Sequence, residues 1–305
     1  ALAPFYFYPI FLMKVLCFAL FACAFNLLLG YTGILSFGHA AFFGGSAYFT
    51  AHAVKEWGLT PELGILVGVA GAAFLGLIIG FLAIRRQGIY STMITLALSQ
   101  MFFFFCLQAS FTHGEDGIQN IPRGHLFGLI DLEEPLYMYF FVLSVFLAGM
   151  LLIWRVIHSP YGMILRSIRE NENRAISLGY TVSRYKLGAF VMSAALAGLA
   201  GGYLSLAYTP MWAENMTAGR GWIALALVVF ASWRVGRVLL GAYLFGLASI
   251  LHLVVQDIGL AIPGNLLAML PYVATILVLV LLSRDAIRTR LFAPVSLGQP
   301  WKIGH

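Results

Sequence analysis

Charge is what this chain has least of. Asp, Glu, Lys and Arg make up 10% of its 305 residues, against about 25% in soluble domains. With 61% hydrophobic residues and a mean hydropathy of +0.90, no water-soluble fold can hide the apolar surface, so the solvent is lipid. Cysteine is nearly absent too. Cys17, Cys23 and Cys106 all lie inside apolar runs, which excludes a disulfide framework and favours buried small residues. There is no Cys-x-x-Cys pair and no His-Glu-x-x-His, so no metal site is expected. A Gly-rich phosphate loop ending in Gly-Lys-Ser or Gly-Lys-Thr is also missing, so the chain is not expected to hydrolyse ATP. Carboxylates are essentially absent from the apolar runs, which counts against an ion-coupled carrier or a charge-ringed channel.

Long apolar runs are present in number. A bilayer-spanning helix needs about 20 such residues. Candidate spans are roughly 5–29, 31–53, 62–84, 89–111, 136–157, 187–208, 236–255 and 266–283. A shorter run, Trp222 to Trp233, is a half-helix or the start of a bent one. The expected fold is all-α and polytopic, with about eight or nine membrane helices in one domain covering 1–305. Small residues at four-residue spacing, Gly64/Gly68, Gly76/Gly80 and Ala194/Gly198/Gly202, are candidate close helix contacts. The net charge of +6 points to no nucleic acid, because the positive residues sit between spans, where they set orientation.

Arg85 and Arg86, the Arg-rich connection from 158 to 186, the corner at Arg234 and Arg237, and the tail at 284–305 are all basic. The positive-inside rule makes them cytoplasmic. Thr112 to Pro135 is acidic and falls on the opposite side. Counting back puts residue 1 outside, and the chain opens on Ala. A preceding helix is therefore expected. Lys14 is a lone cation in the first span, either snorkelling or facing a neighbouring helix.

Two stretches carry unusual chemistry. The first, Ser159–Lys186, is a polar interruption that predicts a surface helix over 160–178. Ser159 caps it, Pro160 suits its first turn and Gly179 ends it. Ile164 and Ile168 share a face, and Arg166–Glu170 and Glu170–Arg174 are spaced as supporting pairs. It is either a solvated loop or a docking element. The second, Asn26–Ala47, sets Asn26, Thr32, Ser36 and His39 at membrane depth among five glycines. Polar groups there are costly unless paired or facing water. With Gln100 they are candidates for a polar path. For His39 an interhelical hydrogen bond is an equal alternative. Phe43-Gly44-Gly45-Ser46 hints at a nucleophilic serine, but no histidine partner stands at a plausible site, so Ser46 reads as a packing residue.

The runs NLLLGYTGILSFGHAAFFGGSAY, GIYSTMITLALSQ and SPYGMILRSIRENENRAISLGYTVSRYKLGAFVMSAALAGLAGGY resemble the permeases of bacterial branched-chain amino acid ABC importers. That resemblance implies a multi-pass inner-membrane permease without its own cofactor, using ATP through partners. The implied partners are a second permease subunit, identical or homologous, two ATP-binding subunits, an extracytoplasmic solute-binding protein and the lipid bilayer. It makes 160–178 the helix that couples to the ATPase, with Glu172, Ala175 and Gly179 as the matching positions and Arg169 and Arg174 beside them. It also makes Thr112–Pro135 a candidate docking face for the solute-binding protein. From Asn215 the chain reads NMTAGRGWIALALVVFASWRVGRVLLGAYLFG, which is more similar to nucleoside-type permeases. The solute is expected to be a branched-chain amino acid, with a nucleoside as the alternative. A passive channel is the competing class.

Overall fold

The computed structural model describes residues 9–86, 88–108, 117–122, 124–126, 130–208, 220–231 and 235–243, with a few isolated positions beyond. Helix α1 spans Pro9–Thr32, α2 His39–Lys55, α3 Pro61–Ala83, α4 Ile89–Gln108 and α5 Pro135–Ile157. Two short helices follow, α6 at Pro160–Glu170 and α7 at Glu172–Ser177. Helix α8 runs Val182–Tyr203 into a π-turn at Leu204–Tyr208, and α9 is Arg220–Phe230. The only strands among the described residues are β1 (His125–Leu126) and β2 (Ile130–Asp131), a two-residue antiparallel hairpin. Of the expected span at 236–255 the described residues, 236–243 and 246, are helical, while most of the expected span at 266–283 and the whole basic tail lie outside the described residues.

Five segments are long and apolar enough to cross a bilayer, namely Leu12–Thr32, Pro61–Ala83, Ile89–Cys106, Pro135–Ile157 and Val182–Ala207. The centre is α1 and α8, whose membrane windows are the most buried; α3, α4 and α5 lie around them with apolar outer faces such as Phe74, Phe81, Phe104 and Leu151. That pattern suits a lipid surround.

Small residues bring α2, α3 and α8 together. A Cβ on Gly76 would strike that of Ala194, and one on Gly198 would strike that of Ala72. A Cβ on Gly68 would meet Thr50 and Ser46 of α2. Ser46 itself donates to the Gly198 carbonyl at 2.6 Å. The predicted small-residue rows are therefore helix contacts, and Ser46 is a packing residue.

Two expected boundaries need correction. The apolar runs place the first span at 5–29 and the second at 31–53. In the structure α1 continues to Thr32, and α2 starts only at His39. The intervening residues 33–38 are not helical, with Gly33 at φ +75°. The predicted helix over 160–178 is also two helices. Asn171 is extended, at φ −154° and ψ 101°, and its side chain caps α7 by accepting from the Arg174 amide. The break leaves Glu170 and Arg174 on separate helices, so they are not the supporting pair expected.

The helix ends sort by charge. The α2–α3 turn meets the acidic hairpin segment, where Lys55 donates to the Gln119 carbonyl at 2.9 Å and Gly124 lies against Pro61. At the opposite end α6 meets the end of α1 through Arg169 and Gly30. The end of α3 lies there as well, with Gly80 against Phe190 and Leu187 near the start of α8. That second end carries the arginines and is the cytoplasmic one.

Candidate functional site: a broken helix and its cytoplasmic clasp

Helix α2 begins inside the membrane. His39 Nε2 lies 2.9 Å from Ser193 Oγ, and Ser193 Oγ donates to the Ala24 carbonyl at 2.6 Å. Ala24 and Ser193 both sit near the middle of their spans, Leu12–Thr32 and Val182–Ala207, so His39 is at mid-depth. The 17 residues of α2 reach about 25 Å at 1.5 Å per residue, enough to carry Lys55 to the outer surface. Residues 33–38 therefore climb back from the cytoplasmic end of α1 to the middle of the bilayer as irregular backbone. Such backbone is tolerated only where protein covers it or water reaches it. Helix α4 supplies part of the cover, since the Phe37 amide donates to Thr95 Oγ1 at 3.2 Å. A Cβ on Gly38 would collide with the Thr95 carbonyl, so only glycine fits. Helix α9 supplies more, with the Phe37 and Trp222 rings 4.7 Å apart.

The serine hydroxyl has one proton, which goes to Ala24. His39 must then donate through Nε2 and present Nδ1 as an acceptor. Nδ1 is buried without a partner. Around the ring stand Phe21, Phe25, Phe42 and Phe190, at centroid distances from 5.1 to 6.5 Å. Asn26 is fully buried, and neither of its amide atoms has a partner. Ser36, in the broken stretch, is buried with an unpartnered Oγ. Gln100 is not with them; it is exposed on α4.

Below the break lies the clasp. Ser159 caps α6 by accepting from the Gly162 amide, with Pro160 in the first turn. Tyr161 Oη donates to the Tyr185 carbonyl at 2.8 Å, pinning α6 to α8. Burial pushes that phenol's pKa up to about 12, so it stays a donor. Ile168, Ala175 and Val182 form a small separate core with Ile164 and Tyr185 against it. Arg169 turns inward and donates from Nη1 to the Gly30 carbonyl. Burial, the largest influence, lowers its pKa. The Arg166 guanidinium sits 5.2 Å from the Tyr31 ring centroid. Glu172 does not project freely; its carboxylate takes Lys186 Nζ at 2.6 Å.

Of the five coupling positions, Ala175 is core, while Arg174 and Gly179 are exposed and Gly179 has φ +87°. Three features had no signal in spacing alone: the Glu172–Lys186 pair, the partnership of Ser193 with His39, and the grip of Arg169 on α1. The break at Asn171 did have one, since asparagine before Glu172 is a helix-capping pattern.

A helical membrane bundle with a break at membrane depth, clasped from the cytoplasmic end, is an arrangement that suits a transport protein. Residues 8–282 match the family described as the branched-chain amino acid transport system permease component, and the chain belongs to it. It is similar to a putative glucose ABC transporter permease of Haloferax volcanii, 33% identical over 267 residues that cover 78% of this chain and 80% of the relative. A nucleoside ABC transporter permease of Lactococcus lactis is 31% identical over 242 residues, 75% of each chain. The high-affinity branched-chain amino acid permease of Escherichia coli is 27% identical over 232 residues, 67% of this chain and 53% of that longer protein. No solved structure matches. Membership makes the chain a multi-pass inner-membrane permease subunit of an ABC importer and not itself an enzyme. The family works in general with ATPase and solute-binding partners.

Proposed function

We propose that this chain passes a branched-chain or similarly hydrophobic amino acid through the membrane, driven by ATPase subunits that seat on α6 and α7. One observation carries the seating. Met163, Ile176 and Leu178 are 60%, 55% and 67% exposed, yet they lie on the short helices and turn beyond the cytoplasmic ends of the spans, where water rather than lipid would cover them. Apolar side chains gathered at such a place mark a protein partner. Arg174 and Arg184 flank them. Ala175 and Gly179 shape that surface rather than project from it.

The solute path runs past the break at 33–38. Asn26, Ser36 and His39 hold unsatisfied polar atoms there, which cost about 1–3 kcal/mol each when left without a partner. Such a cost is understandable if a second conformation gives these groups a solute or water. The amino acid reading draws on the family description and on the apolar, aromatic lining around His39. A nucleoside is the second reading, favoured by the run Arg220–Phe230 and by the Lactococcus relative. Gln100 joins the path only across a second permease subunit, because in one copy it faces outward.

Two measurements test this. In proteoliposomes holding the assembled importer, ATP-driven uptake of labelled leucine is expected to exceed that of uridine and glucose; dominance of either competitor replaces the solute. For the seat, Ile176→Glu with Leu178→Glu is expected to weaken ATPase binding at least tenfold. Unchanged binding would move the docking surface elsewhere.

A further inference from the structure

Helix α1 ends with a problem that α6 solves. The last carbonyls of a helix have no partner within it, and that end carries partial negative charge. At α1 the Leu29 carbonyl is taken by the Gly33 amide. The next one, on Gly30, is taken by Arg169, 139 positions along the chain. Arg166 adds a second cation over the ring of Tyr31. Both arginines come from one face of α6, and both land within three residues of the point where α1 gives way to the broken stretch. Arg169 is half-buried and its guanidinium is engaged with α1 at Gly30.

The other half of the clasp holds a different helix. Glu172, the first residue of α7, is ion-paired to Lys186 of α8. Helix α6 thus grips α1 through Arg169 and α8 through Tyr161, while α7 grips α8 alone through Glu172, with Asn171 as the joint between the two short helices. The two gripped helices are also joined to each other at mid-depth, where Ser193 of α8 donates to the Ala24 carbonyl of α1 and accepts from His39. A change in the angle at Asn171 would be felt at the base of the broken stretch through one path and at Ser193 through the other.

We propose that Arg169 is a positioning residue of the transport cycle: it caps α1 at Gly30 and transmits movement of α6 to residues 33–38, so that motor action opens the broken helix. This rests on the reading of α6 and α7 as the motor's seat. The cap is a charge-assisted bond from a planar donor to a carbonyl. Lysine keeps the cation at the helix end but loses the fork geometry. Glutamine keeps a donor but loses the charge.

The experiment uses the assembled importer in proteoliposomes with Arg169→Gln and Arg169→Lys. Binding of the ATPase subunits and basal ATP hydrolysis are expected to stay within twofold of the parent. Solute-stimulated hydrolysis and uptake are expected to fall at least tenfold in Arg169→Gln, with Arg169→Lys recovering a substantial part. As a direct readout of the gate, a Ser36→Cys reporter in a background without the native cysteines is labelled with a membrane-permeant thiol reagent. Its labelling rate is expected to change with nucleotide when Arg169 is present and to be insensitive to nucleotide in Arg169→Gln.

Normal coupling and a normal nucleotide response in Arg169→Gln overturn the link while leaving the permease reading intact. Loss of ATPase binding in Arg169→Gln makes the residue a docking contact and also overturns the link. Failure of the parent chain to bind any ATPase overturns the underlying reading instead. Should Arg169→Gln not fold, Arg169→Lys decides: a partial loss of solute-stimulated hydrolysis with ATPase binding kept supports the cap, and full coupling with a normal nucleotide response contradicts it.

Discussion

Asn26 shows how much of this protein's behaviour is set by single polar atoms at depth. It is fully buried, with both amide atoms unpaired, where a hydrogen-bonding group without a partner is destabilising. A leucine fills similar volume without that cost. Asn26→Leu is therefore expected to stabilise the resting fold by about 1–3 kcal/mol, raising the thermal unfolding midpoint in detergent, while lowering uptake. A lower midpoint with normal uptake would show that Asn26 is structural and has a partner in the resting state. His39 belongs to the same argument. Its place in a polar run was legible in the sequence. Its partner was not, because Ser193 is 154 residues away and nothing in spacing pairs them.

At the scale of elements, the two breaks matter more than the helices. The run pattern ends one span at 29 and begins the next at 31, whereas the structure has six non-helical residues, 33–38, between α1 and α2. The depth of this break was hidden, since depth depends on where Ser193, itself bonded to Ala24, meets His39. The break at Asn171 was written in a capping residue, but the Arg–Glu spacing across it argued for continuity. Tertiary contacts won: Ile168 and Ala175 share one small core with Val182 only if the two helices turn at Asn171. Asn171→Ala removes the side chain that accepts from the Arg174 amide, and loss of such a cap costs about 1 kcal/mol. The joint is then expected to straighten toward one helix and pull Glu172 from Lys186. Solute-stimulated ATPase activity should fall severalfold. By comparison, Ser159→Ala, which removes the equivalent cap of α6, should cost similar stability with little loss of stimulation. Equal effects on stimulation from the two caps would mean that the joint has no special part.

Across the whole molecule, composition already dictated a lipid-embedded helical bundle, and charge dictated its sidedness. Arg85, Arg86, Arg166, Arg169 and Arg174 gather at one end, while Asp131, Glu133 and Glu134 gather at the other. The shared small-residue seams then bring α2 and α3 against α8. Gln100, exposed on α4, would reach the path only if a second permease subunit packs against that face. The most direct test of the account is uptake of labelled solute into proteoliposomes containing this chain with its partner permease and binding protein, with and without the ATPase subunits and ATP. The account predicts accumulation only when both ATPase and ATP are present. Equal uptake by the permease alone, without ATP, would contradict it and make the protein a passive channel.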